Sequence, residues 1–366
     1  MTATLFTPFD LGKLTLANRI IVAPMCTYSA DDGRANDWHL IHYGNLALSG
    51  AGLLTVEATA VAPEGRITYG DLGLWDEACA NALAILLAGL RRWSDMPIAI
   101  QIAHAGRKAS TNLPWLGAAQ IPPGKAHGWQ TLSSSDLPFQ TNENPPQALD
   151  QDGLKRIRDA FAAAAARAVA LGFDAIQLHS AHGYLLHQFL SPLANRRDDE
   201  YGGSLENRLR FPLDVFTAVR ASVPGRIPLT VRVSGTDWVD GGWDIDGTIA
   251  YAKALEALGC AAIHVSSGGL SPQQKIPLGP NYQVPLARAV KAAVAMPVVT
   301  VGLITEAEQA EAIVAGGDAD LVALARAMLY DPRWPWHAAE RLGVRIKPAN
   351  QYLRAAPNRA ADLFKV

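Results

Sequence analysis

The chain has 366 residues, 49% hydrophobic and 18% charged, with a formal net charge of −2. Such a length buries a large core without disulfide or metal staples, and so small a net charge argues against nucleic acid or an acidic membrane surface as the main partner. Its three cysteines, Cys26, Cys79 and Cys260, contain no C-x-x-C pair, which excludes a zinc ribbon and a secreted disulfide framework.

Met1 to Asp10 carries neither a basic region nor an apolar run. No secretory signal is read there, and a cytoplasmic location is expected. Short apolar or β-branched runs then alternate with helical patterns. Strand Arg19–Ala23 is followed by helix Trp38–Ser49, strand Leu53–Ala58, helix Leu83–Arg92 and strand Ile98–Ala103. Leu46 to Ala62, the most apolar stretch, is broken by Ser49, Thr55, Glu57 and Thr59; it reads as helix end, turn and buried strand rather than a membrane span. Residues 107 to 149 form a long irregular segment rich in Pro, Gly, Ser and Asn. A loop of that length is usually a cover or lid, and Trp115 and Trp129 within it either wall a pocket or pack the loop down.

Helix Leu154–Leu171 places Leu154, Ile157, Phe161, Ala165, Ala168 and Leu171 on one face. Strand Ala175–His179, strand Leu229–Ser234, helix Thr248–Leu258, strand Ala261–Ser266, helix Leu286–Val294, strand Val298–Val301, helix Glu306–Ala315 and strand Leu321–Leu324 follow. Gly172, Gly259 and Gly316 sit just past their helices, as capping glycines do. Eight strand–helix units and the absence of a G-x-G-x-x-G after the first strand predict a (β/α)8 TIM barrel over a dinucleotide-binding sheet. The expectation is one α/β barrel domain over residues 1–366, with a cover loop after the third strand and a C-terminal tail.

The chemistry concentrates between His179 and Phe211, beginning where the fourth strand should reach the catalytic rim. His179, His182 and Tyr184 bring two imidazoles and a phenol together. The imidazoles can hydrogen-bond one substrate oxygen, and the phenol keeps a proton to give away. Conjugate reduction needs this set, because negative charge grows on a carbonyl oxygen as hydride arrives and the α-carbon then takes a proton. Arg232 stands in mid-strand of a buried parallel sheet, which calls for an anion, either a bound group or a structural carboxylate. Gln101, in I-Q-I-A-H-A-G-R-K, is polar inside a β-branched strand and offers both a donor and an acceptor.

H-x-A-H-G-Y-L, then F-L-S-P, then N-x-R-x-D-x-Y-G-G-S-x-E-N-R-x-R-F strongly resembles the hallmark of the Old Yellow Enzyme family. Pro24-Met25-Cys26-Thr27-Tyr28 resembles the thermophilic-like and xenobiotic-reductase branch. The resemblance covers essentially the whole chain. It implies non-covalent FMN, reduced by NADPH or NADH, whose N5 hands hydride to an enone, enal, maleimide or nitro-alkene. His179 and His182 then bind the carbonyl oxygen, Tyr184 is the proton donor, and Tyr28 borders the substrate. Ser204 caps a helix start, and Asn207 and Arg208 brace the rim.

By the same resemblance Ala23, Pro24, Met25 and Cys26 pass against the flavin ring, and Cys26 tunes its redox behaviour. Ala58 lets backbone approach the ring, Gln101 meets the pyrimidine edge, and Arg232 stabilises the anionic reduced form. Gly302 and the pair Ala325-Arg326 receive the phosphate. The family's usual pair there is Gly-Arg, and Ala325 is strained at any positive φ. His264 and Ser266-Ser267-Gly268-Gly269 stand as either phosphate contacts or a plain turn.

Two other functions are weighed: a Schiff-base barrel enzyme using Lys108 or Lys275, and a non-catalytic flavin-binding protein. Three scattered cysteines exclude an added iron–sulfur domain. In the tail, Gln351-Tyr352-x-Arg354 resembles the branch motif whose arginine reaches into a neighbour's active site, although Ala355-Ala356-Pro357 departs from the family's Gly-Trp ending. A homodimer or dimer of dimers is expected, with Arg354 completing the partner's substrate pocket.

Overall fold

A computed structural model describes residues 3–365. Eight parallel strands close into a barrel: β1 (Ile20–Val22), β2 (Leu53–Ala60), β3 (Ile98–Ala103), β4 (Ala175–Ser180), β5 (Leu229–Ser234), β6 (Ala262–Ser266), β7 (Val298–Thr300) and β8 (Leu321–Leu324). The helices are α1 (Asp37–Ala47), α2 (Glu77–Arg91), α3 (Gln151–Leu171), α4 (Leu185–Leu190), α5 (Leu205–Ser222), α6 (Ile245–Ala257), α7 (Val284–Lys291), α8 (Ala307–Ala315), α9 (Arg326–Tyr330) and α10 (Trp334–Arg341). The (β/α)8 expectation is met.

Strand alternation divides the core in two. Residues such as Leu229, Val231 and Val233 face outward into the main cluster under the helices. Ile21, Ala99, Ala175, Ala262, Val299 and Leu321 face inward at the barrel floor, packed on Leu11 and Leu16. Those two come from an N-terminal hairpin, Phe9–Leu11 with Leu14–Leu16, that plugs the floor. The polar inward residues are thereby left to the upper half.

Strand limits match the sequence pattern within a residue or two. β2 runs further because its register with β3 shifts between Val56 and Thr59. α1, α2, α3 and α6 start earlier than the apolar pattern suggests, since capping side chains set them. Asp76 accepts from the Cys79 amide at 2.9 Å, and Asp150 accepts from the Gly153 amide at 2.8 Å. Ser204 caps α5 through the Asn207 amide at 3.3 Å. Gly172 and Gly259 adopt left-handed backbone, but after α8 it is Gly317 that does so, while Gly316 stays right-handed. Ala325 lies at φ −108°, so the feared strain at that position does not arise.

The segment after β3 folds over the mouth with a two-residue pairing, Leu132–Ser133 with Gln147–Ala148, and a single bridge between Thr111 and Gln120. Trp129 packs it down, donating to the Glu64 carbonyl at 2.9 Å beneath Arg66. Trp115 is largely exposed and meets Tyr28 edge-on, 6.4 Å between centroids.

Candidate active site

His179 lies near the carboxyl end of β4, while Gln101, Gln177 and Arg232 sit in mid-strand on β3, β4 and β5. Register places His179 beside Arg232 and Arg232 beside His264, three inward side chains in one layer. One layer below, Gln101 pairs with Gln177 and donates to its Oε1 at 2.8 Å. That bond leaves the Gln101 side-chain carbonyl and both side-chain N–H groups of Gln177 unused.

After β4 the backbone turns sharply, with His182 at φ +57° and Gly183 at +75°. This loop presses on the one after β6. A Cβ on Gly183 would lie 2.2 Å from the Gly269 carbonyl oxygen, and one on Gly269 2.6 Å from the His182 backbone, so glycine is required at both. Lys108 joins the two loops, donating to the His182 carbonyl at 2.9 Å and the Gly269 carbonyl at 2.8 Å. Its ammonium lies 5.2 Å from the Tyr184 ring centre and 4.8 Å from that of Phe139. Burial, with Arg107 adjacent, lowers Lys108 to about 8, which keeps it cationic at neutral pH. Behind the loop, His187 accepts from the Gly183 amide at 2.9 Å and lies 3.0 Å from Asp237.

The two catalytic candidates form a directed chain. The Ala181 amide donates to His179 Nδ1 at 3.2 Å, leaving the proton on Nε2, which lies 3.3 Å from His182 Nδ1. His182 then donates from Nε2 to the Ser266 hydroxyl at 2.8 Å. Ser266 reaches Gln283 Oε1 at 3.2 Å, and Gln283 donates to the Val301 carbonyl at 3.0 Å. Burial, reinforced by the Arg232 cation, holds both imidazoles well below their ordinary range, so they are neutral donors at pH 7. Burial likewise pushes the Tyr184 phenol far up; it stays protonated. His179 and Tyr184 rings meet edge-on at 4.8 Å.

Around this mouth stand the remaining candidates. Ala23 donates its amide to the Leu324 carbonyl at 2.9 Å, and Pro24, Met25 and Cys26 run off the end of β1. Ala58 is buried on β2. Gly302 follows β7, and Ala325 with the exposed Arg326 follows β8. Arg232 is buried, lowered by burial to about 10, and still cationic at neutral pH. Among the described residues no carboxylate lies within salt-bridge distance of it. Its Nε, with His264 Nε2 and Thr300 Oγ1, is buried without a hydrogen-bond partner. Buried polar atoms need partners, and a lone buried cation needs an anion. An interior with these unmet groups above an apolar floor fits a polar, anionic ligand.

Residues 4–344 match the model of the NADH:flavin oxidoreductase / NADH oxidase family. The chain belongs to that family. An NADPH dehydrogenase of Geobacillus thermodenitrificans is 42% identical over 356 residues, 97% of this chain and 99% of that protein. One from Bacillus licheniformis is 42% identical over 353 residues, 96% and 98% respectively. Among solved structures, morphinone reductase superposes with a TM-score of 0.77 at 28% identity, covering 94% of this chain and 91% of that one. The Old Yellow Enzyme resemblance holds, and the chain is an NAD(P)H-dependent flavin oxidoreductase with FMN as its cofactor. No helix among the described residues is long and apolar enough to cross a membrane.

Within this flavin oxidoreductase, two sequence expectations change. His264 lies in mid-strand between Arg232 of β5 and Val299 of β7, inside the barrel rather than on a turn. The Schiff-base role for Lys108 loses its free amine, since the ammonium is committed to two carbonyls. Arg354 is exposed, with no hydrogen bond or ion pair among the described residues. The tail leading to it lines a cleft with Asn18, Gly52 and Pro97, which precede β1, β2 and β3, at the end of the barrel opposite the mouth. Gln177, Lys108, Ser266 and Gln283 were not singled out for these roles. Gln177 was readable by parity, two residues before His179 on one strand face; the others act through loop contacts that no spacing encodes.

Proposed function

We propose that this flavin oxidoreductase is an ene-reductase that saturates carbonyl- or nitro-activated C=C bonds. The observation that carries the reading is the meeting of two neutral imidazoles and a protonated phenol at the mouth of a barrel whose interior holds an unpaired arginine. FMN, when bound, takes hydride from NADPH or NADH and supplies it to the β-carbon of the alkene. Ala23, Pro24, Met25, Cys26 and Ala58 would border it, Gln101 and Arg232 would meet its polar edge, and Gly302, Ala325 and Arg326 its phosphate. The whole chain acts as one FMN-binding barrel unit.

The side chains divide the remaining work. A carbonyl oxygen entering the mouth takes the N–H that His179 directs at His182 and the one that His182 directs at Ser266. Neutral imidazoles donate without surrendering a proton, so they stabilise growing negative charge on that oxygen. Tyr184 gives its proton to the α-carbon, and the Lys108 ammonium by its ring favours the phenolate left behind. Tyr28, beside Trp115, borders the substrate on the far side. With the chain a flavin oxidoreductase, the Schiff-base alternative at Lys108 or Lys275 and the non-catalytic one fall away, and the rival is an oxidoreductase that passes its electrons to an acceptor other than an activated alkene. Anaerobic turnover decides between them: one cyclohexanone formed per NADPH consumed from cyclohexenone supports the ene-reductase, and absence of product from enones, maleimides and nitro-alkenes refutes it.

For assembly, the exposed apolar side chains Trp38, Ile41 and Ile85 of α1 and α2, with Tyr330 of α9, favour a homodimer face. The placement of Arg354 away from its own mouth favours its acting in the partner's pocket.

A further inference from the structure

β2 carries a carboxyl group that the steps above leave unused. Glu57 has no solvent exposure, and among the described residues no Lys or Arg pairs with it. His39 is the nearest basic group, at 4.0 Å, and burial lowers it to about 4, so it brings no charge at neutral pH. The carboxylate is held by hydrogen bonds alone. The Thr27 amide donates to Oε2 at 2.8 Å, the Thr27 hydroxyl to Oε1 at 2.8 Å, and the Tyr43 hydroxyl to Oε1 at 2.9 Å. Tyr43 in turn accepts from the Glu57 amide at 2.9 Å.

An isolated buried carboxylate is expensive, and a neutral glutamine, with one acceptor oxygen, could not take the donors that fall here on both Oε1 and Oε2. What the charge faces is therefore informative. Thr27 is the residue between Cys26 and Tyr28, so the carboxylate grips the middle of the turn that presents both to the mouth. We propose that Glu57 is the positioning residue of Cys26, anchoring the turn that presents the thiol through both the amide and the hydroxyl of Thr27. Burial raises the Cys26 thiol first, Asp71 and Glu57 add to it, and Arg232 from β5 opposes them. Asp71 is bound by the Ile67 and Thr68 amides, while Tyr28 and Tyr43 stay protonated through burial. The proposal rests on the reading of Cys26 as a flavin neighbour only for its redox consequence; the state of the thiol can be measured separately.

The test is Glu57→Gln in the FMN-loaded protein, read by the rate of iodoacetamide addition to Cys26 and by the flavin midpoint potential. Cys79 and Cys260, buried at 1% and 6% exposure, serve as slow internal controls. Above about pH 7, Cys26 alkylation should quicken, by about tenfold for each unit the thiol falls, and the potential should rise as the negative charge is lost. Faster alkylation with an unmoved potential upholds the proposal and removes Cys26 from the flavin's side. Should Glu57→Gln fail to fold, Tyr43→Phe takes one donor from the same carboxylate and should move alkylation the same way. A folded variant with normal FMN content and unchanged alkylation overturns the proposal.

Discussion

Nε2 of His179 stands 3.3 Å from Nδ1 of His182, so the two histidines of the mouth are linked in series rather than presented as independent donors. Groups that act as one unit are not additive when removed. His179→Ala and His182→Ala should each lower the rate of enone reduction by ~10²–10³, and the double variant should be little worse than either. Rapid-mixing measurement of the enone step, with flavin reduction by NADPH as the comparatively unaffected control, checks this. Additive losses would mean that each imidazole acts alone.

Tyr184→Phe removes the only proton of the trio that burial keeps on oxygen. The enone step should slow while hydride transfer from NADPH changes little, and the solvent isotope effect on the enone step should shrink. An unchanged rate for every enone tried would assign the proton to solvent.

Lys108→Met leaves the carbonyls of His182 and Gly269 converging without a donor, and a buried unsatisfied acceptor costs roughly 1–3 kcal/mol. Amide hydrogen exchange should increase together in the peptides around Gly183 and Gly269, and Lys108→Arg should restore part of the protection. Loosening of one loop without the other would show that Lys108 does not couple them.

Burial raises the Glu57 carboxyl to about 7 and that of Asp71 to about 6. Folded values above the unfolded ones mean that their stabilising contribution is complete at low pH and is lost as pH rises through about 6 and 7. His39, His104, His179, His182 and His264 are all pushed down and oppose this below about pH 6.5. The carboxyl effect is therefore read as a difference. Relative to the native chain, Tm of Glu57→Gln should improve steadily from about pH 5 to about pH 8, and a pH-independent difference would contradict the assignment.

Much of this was legible in the residues. Strand runs and capping positions give the barrel, and H-x-A-H-G-Y-L places the trio at the end of β4. Arg232 announced an anion site because a mid-strand cation needs one, and the structure leaves it unpaired. What could not be read were contacts between loops distant in sequence. Lys108 meets His182 and Gly269 across 74 and 161 residues, and Ser266 meets His182 across 84. The bulge in β2 lies beside Glu57, whose carboxylate meets Tyr43 of α1, and single-strand periodicity carries no sign of a bulge.

Arg354 is expected to act on a partner chain. Mixing Arg354→Ala with a chain inactivated at both His179 and His182 gives heterodimers in which one site keeps its own histidines and receives the partner's intact arginine. Activity should then exceed that of both parents. No gain, with heterodimers shown to form, would make Arg354 a bystander.

Ene reduction at the His179–His182–Tyr184 mouth requires one flavin that a nicotinamide reduces and an activated alkene reoxidises. The anaerobic visible spectrum of the purified protein tests it most directly, followed first on addition of NADPH and then of cyclohexenone. The flavin absorbance should bleach with NADPH and return with the enone as cyclohexanone forms, and the return should be lost in the His179→Ala/His182→Ala protein while bleaching persists. A flavin that bleaches but is not reoxidised by any activated alkene, in native protein with full FMN content, would contradict the account.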